Sequence, residues 1–80
     1  MNQYIRISRT AARRNYYQGK TIVLVPDFIE SEAMWKPSWF VDMHLSSTDF
    51  EDKVADFQFT NCNKRCGYRV KYYIRKEDIA

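Results

Sequence analysis

Eighty residues with 45% hydrophobic side chains allow one small domain, read as residues 1–80. No apolar run is long enough to cross a bilayer and nothing resembles a signal peptide, so the expectation is a cytoplasmic protein with no membrane contact. The net charge of +3 conceals three blocks: +5 over residues 1–20, −6 over 21–60 and +4 over 61–80. Such blocks either form separate basic and acidic surfaces or pair with one another inside the fold.

Residues 2–7 read as a strand, with Ile5 and Ile7 toward the core and Tyr4 and Arg6 outward. Ser8 or Thr10 suits the cap of a helix over 9–18 that stops at Gly19. Ala12 and Tyr16, one turn apart, would face the sheet. Arg9, Arg13 and Tyr17 share another face, with Arg14 beside them. Residues 21–25 (Thr-Ile-Val-Leu-Val) form a continuous apolar, β-branched run, the pattern of a central buried strand, ended by Pro26 and Asp27.

Residues 27–37 read as a connecting loop that contains Glu30, Glu32, Met34 and Trp35. Trp35 and Trp39 either plug the open side of the core or form an adhesive patch. The plug is favoured, since an exposed pair would promote aggregation. Residues 39–44 suggest a third strand, with Trp39, Val41 and Met43 alternating against Phe40, Asp42 and His44.

A second helix is expected to start at Thr48, followed three residues later by Glu51 in a capping-box pattern. Phe50, Val54 and Phe57 lie at i, i+4 and i+7, a single apolar stripe. Asp49, Asp52 and Asp56 share the outward face, with Glu51 nearby, and the helix dipole favours acids in the first turn. Beyond Phe57, the alternation of Phe57 and Phe59 with Gln58 and Thr60 suggests fraying into extended chain or a short strand. Residues 61–67 read as a turn, with Gly67 at positive φ. In the last strand Tyr68, Val70, Tyr72 and Ile74 point one way, and Arg69, Lys71, Tyr73 and Arg75 the other. The tail beyond is expected to be loose. The order β-α-β-(β)-α-β predicts an α+β fold with two helices packed on one face of a three- or four-stranded sheet.

Little in this chain suggests catalysis. Two glycines leave no room for a phosphate-cradling loop. Cys62 and Cys66, with three residues between them, and His44 as the only histidine make a poor zinc signature, so no metal or cofactor is expected. The two cysteines read as thiols in a reducing compartment. No spacing places either beside His44 as a nucleophile–base pair.

Binding is better supported. If the first and last strands are neighbours, Arg6, Arg69, Lys71 and Arg75 cover one sheet face with Tyr4 and Tyr73 among them. Cations for phosphates and aromatics for stacking are how some sheets hold single-stranded nucleic acid. The acidic helix (Asp49, Glu51, Asp52, Asp56) could imitate a row of phosphates on a partner protein. The basic helix (Arg13, Arg14, Tyr17) could dock on an acidic or RNA-covered surface. For each patch the competing reading is an ordinary solvated face.

Residues 4–8, Thr10-Ala11-Ala12-Arg13, Tyr16 and Gly19-Lys20-Thr21-Ile22 resemble the opening of a family of short proteins from phages and mobile elements of Gram-positive bacteria. Phe50-Glu51-Asp52-Lys53-Val54, Phe57, Phe59, Asn61-Cys62-Asn63, Gly67 and Tyr72-Tyr73-Ile74 resemble its close. The likeness skips residues 28–45, and Cys66 departs from the family's turn. By context, the family resembles the small accessory proteins among which anti-CRISPR inhibitors are found. The resemblance implies a non-catalytic protein in the cytoplasm of a bacterial host that binds and inhibits a host defence effector, foremost a CRISPR–Cas nuclease complex. Contact with guide RNA or DNA, and the oligomeric state, stay open. The alternative is a single-stranded nucleic-acid-binding module that uses the basic sheet face.

Overall fold

The computed structural model describes residues 3–43, 49–61 and 70–78. In chain order the elements are strand β1 (Tyr4–Ile7), helix α1 (Arg9–Tyr17), strand β2 (Ile22–Pro26), strand β3 (Phe40–Val41), helix α2 (Phe50–Asn61) and strand β4 (Val70–Arg75). They make an α+β fold. The four strands pair in the order β1-β4-β2-β3, all antiparallel. The last strand therefore lies between the first two.

Local chemistry sets the ends of α1. The Ser8 hydroxyl accepts the Ala11 N–H at 3.1 Å and so satisfies an orphan donor of the first turn. At the far end Gly19 has φ 88, a left-handed conformation that costs glycine little. Its N–H reaches the Tyr16 carbonyl at 3.0 Å, and the Lys20 N–H reaches the Asn15 carbonyl at 3.1 Å. This pair of bonds is a Schellman closure.

Both helices cover one face of the sheet. Ala12 and Tyr16 of α1 and Phe50, Val54 and Phe57 of α2 are buried against Ile22, Leu24, Tyr72 and Ile74. The Phe50 ring stands 5.4 Å from Tyr16 and 5.9 Å from Tyr72, which joins both helices to β4. Fully buried Ala12 has no bulk to hold α1 off the sheet.

All five residues of β2 are buried, so the opposite face is covered as well. The cover is the segment from Asp27 to Trp39. It begins with a turn closed by the Ile29 N–H on the Pro26 carbonyl at 3.0 Å. Two single 3-10 turns follow, Glu32–Met34 and Pro37–Trp39. Between them Trp35 lies over the sheet, 4.9 Å from the Tyr73 ring, 5.3 Å from Tyr4 and 6.2 Å from Phe40. The expected tryptophan plug is present, divided between two places. Trp35 covers the second face, and Trp39 is buried edge-on against Phe57 at 6.0 Å.

Several boundaries differ from expectation. The third strand is only two residues long, because Pro37 starts a 3-10 turn that takes in Trp39. The helix α2 continues to Asn61, so residues 57–60 are neither frayed nor a strand, and the apparent alternation there has no ladder behind it. Pro26 closes β2 from within. Bonded and non-bonded pairs alternate in an antiparallel ladder, and Pro26 falls opposite Val70 at a non-bonded rung. The tail after Arg75 forms a 3-10 turn, Lys76–Asp78, tied to the start of the chain by the Lys76 N–H on the Gln3 carbonyl at 2.9 Å. The expectations for His44, Thr48, Cys62, Cys66, Gly67, Tyr68 and Arg69 fall outside the described residues.

Candidate functional site

The basic face of α1 is built around Tyr17. The Phe50 N–H at the start of α2 donates to the Tyr17 hydroxyl at 3.0 Å, satisfying a backbone donor that has no partner within the helix. This bond fixes the ring. The Arg13 guanidinium then sits over it, 5.6 Å from the centroid, within cation–π range. Glu51, in the first turn of α2, pairs with Arg9 and also reaches Arg13 at 3.8 Å. Together these residues and Arg14 line an open cleft of about 370 Å³.

Glu51 therefore does not belong to the outward acidic face. At about 100° per residue, Glu51 lies on the flank of α2 turned to α1, while Asp49, Asp52 and Asp56 lie on the flank turned away. Those three are exposed, and no ion pair reaches them among the described residues. The Asp49 carbonyl accepts the Lys53 N–H at 3.0 Å, at the start of α2. The charge blocks thus do both things the sequence allowed. One acid of α2 pairs with α1, and Asp49, Asp52 and Asp56 form a separate flank.

The Glu51 pairings are weak. Arg9, Arg13 and Glu51 are each more than half exposed, and such pairs contribute ~0–1 kcal/mol. An incoming anion can displace the carboxylate at small cost. Arg14 has no ion-pair partner among the described residues.

The second sheet face has a different arrangement. β1 and β4 are neighbours, so Arg6 is opposite Tyr73 and Tyr4 opposite Arg75 on the same face, with Lys71 in line. Most of these groups are already engaged. Trp35 packs on Tyr4 and Tyr73. The Lys71 ammonium donates to the Ile29 carbonyl at 2.7 Å, and Arg75 donates to Glu77 at 2.8 Å. This face is therefore not the open stacking platform that the alternation suggested. Arg6 is exposed and has no ion pair among the described residues, while Arg69 lies outside them. Trp35 at a loop position was visible in the sequence, but nothing there named Tyr73 as its seat.

Burial raises the Tyr72 hydroxyl above its usual 10.0, with Arg9 opposing and Glu51 adding. Burial raises Tyr16 too, helped by Tyr17, Asp42 and Asp49. Both rings serve the core. Among the described residues no three His, Cys, Asp or Glu side chains gather as metal ligands, and no helix is long and apolar enough to cross a membrane. No family model, curated protein or solved structure matches the chain.

Proposed function

We propose that this protein is a small, non-catalytic inhibitor that binds a nucleic-acid-handling effector of a host defence system through its two-helix face. The observation that carries the reading is the division of charge on that face. An arginine–tyrosine cleft on α1 and an acidic flank on α2, without an ion pair among the described residues, stand on either side of one weak Glu51 seam. The acids present negative charge where an effector channel expects phosphates. The arginines suit carboxylates at the channel rim, or a bound guide strand. The family resemblance adds the particular partner, a CRISPR–Cas nuclease complex in the bacterial cytoplasm. The nucleic-acid-module alternative has less support, because Trp35 occupies the aromatic surface it needs.

The test is a pull-down of the tagged protein from lysates expressing candidate Cas effectors, with and without nuclease. A stoichiometric effector band that survives nuclease is the expected result. The Asp49→Asn, Asp52→Asn, Asp56→Asn triple variant should weaken it by about tenfold or more. An undiminished triple variant removes the phosphate-imitation part of the reading. A signal that is only nucleic acid overturns the whole.

A further inference from the structure

We propose that the free edge of β1 is a docking site for an extended acidic–apolar segment of a partner protein, added to the sheet as a further strand. The inference does not rest on the proposed function, although Arg14 lines both the arginine cleft and the groove used here. β1 is an outer strand, with β4 on one side and no strand on the other among the described residues. The Lys76 N–H on the Gln3 carbonyl marks Gln3 as a bonded position toward β4. Bonded pairs recur at every second residue, so Ile5 and Ile7 also bond to β4. The N–H and C=O groups of Tyr4 and Arg6 therefore point away from the sheet. No backbone bond to them from outside the strands occurs among the described residues.

Beside this edge lies a groove of about 380 Å³ between β1 and α1. Its floor includes Ile5, Ile7, Ile74 and Ala11, and Arg14 and Lys20 stand on its rim. Ile5 and Ile7 point toward the core face yet are only half-buried, so the groove leaves apolar surface uncovered. Arg6 projects on the opposite face of the same strand.

The chemistry of the occupant follows from this layout. An added strand alternates its side chains between the two faces. Those on the helix side meet isoleucine and alanine, so they are apolar. Those on the other side meet Arg6, and the end near the rim meets Arg14 and Lys20, so acidic residues suit both. Among the described residues no acid lines the groove. A second copy of this chain fits poorly, because pairing β1 with itself brings cations of like sign, Arg6, Arg14 and Lys20, from both copies to one edge and supplies no acid to meet them. Backbone bonds supply affinity and the alternating contacts supply selectivity, as in other edge-strand docking.

The experiment is a titration of the ¹⁵N-labelled protein with a peptide of about eight residues alternating valine and glutamate. Expected are shifts and slowed exchange centred on the Tyr4 and Arg6 amides. N-methylation along the pairing edge of the peptide should weaken binding about tenfold, and so should replacing its glutamates by lysine. The Arg14→Glu, Lys20→Glu variant, checked for a folded spectrum, should weaken the glutamate peptide and favour the lysine one. No shift at about 2 mM peptide overturns the proposal. So does binding that ignores N-methylation, or concentration-dependent dimerisation through β1, or a single-stranded oligonucleotide that shifts the same amides more tightly than the peptide does.

Discussion

The two faces of this sheet are covered in different ways. One carries two helices whose apolar stripes repeat at helical period, with Tyr16, Phe50, Val54 and Phe57 closing over Tyr72 and Ile74. The other is covered by an irregular segment in which Trp35 sits on Tyr4, Phe40 and Tyr73 and the Lys71–Ile29 bond holds the chain down. The helical side keeps its charged groups outside, and Arg14, Asp49, Asp52 and Asp56 stand clear of any ion pair among the described residues. On the loop side, cations and aromatics that resemble a ligand platform are taken up by the protein's own chain. A surface inferred from alternation alone therefore needs its cover identified before it can be read as a site.

The contrast can be broken by mutation. Phe50→Ala, on the helical side, removes a fully buried ring that links α1, α2 and β4. It should cost about 3–5 kcal/mol in urea unfolding, a large part of what a small domain has. Trp35→Ala should cost less, about 2 kcal/mol, because the ring is half-buried, and should increase binding of hydrophobic dyes as Tyr4 and Tyr73 open. A larger loss for Trp35→Ala would invert the comparison.

A pH series sharpens the helical side. Tyr16 and Tyr72 are buried and their hydroxyls are raised above 10.0, whereas the unfolded chain ionises near that value. The unfolded state then loses protons first. Stability is full below about pH 10 and falls as pH climbs toward the raised folded values. The urea midpoint should decline there, and Tyr72→Phe should flatten the decline. The smallest effect is expected at the seam. Glu51→Gln should change stability by no more than about 0.5 kcal/mol, yet tighten binding of a polyanion to the arginine cleft, measurable by fluorescence anisotropy.

The legible parts of this fold are those with local causes. Ser8 and Gly19 mark the ends of α1, and Ala12 and Tyr16 mark its buried face. The alternation of residues 70–75 gives β4, and the assumed pairing of first and last strands is present. The unbroken run through residues 21–25 already implied a central buried strand, and Ile22–Pro26 is buried throughout. What the sequence left dark has distant causes. Four alternating residues, 57–60, fit a strand as well as a helix end until their neighbours are known. The seat of Trp35 depends on residues far from it in the chain. Glu51 reads as one acid among four until α1 is placed beside it.

The central claim is that the helical face, and not the loop-covered face, meets the partner. The most direct test compares two charge-matched variants in the effector pull-down: Arg13→Glu with Arg14→Glu on α1, and Arg6→Glu with Arg75→Glu on the second sheet face. All four side chains are exposed, so both variants should fold. The account predicts that the helix pair loses the effector by about tenfold or more and the sheet pair retains it. Retention by the helix pair with loss in the sheet pair would contradict it.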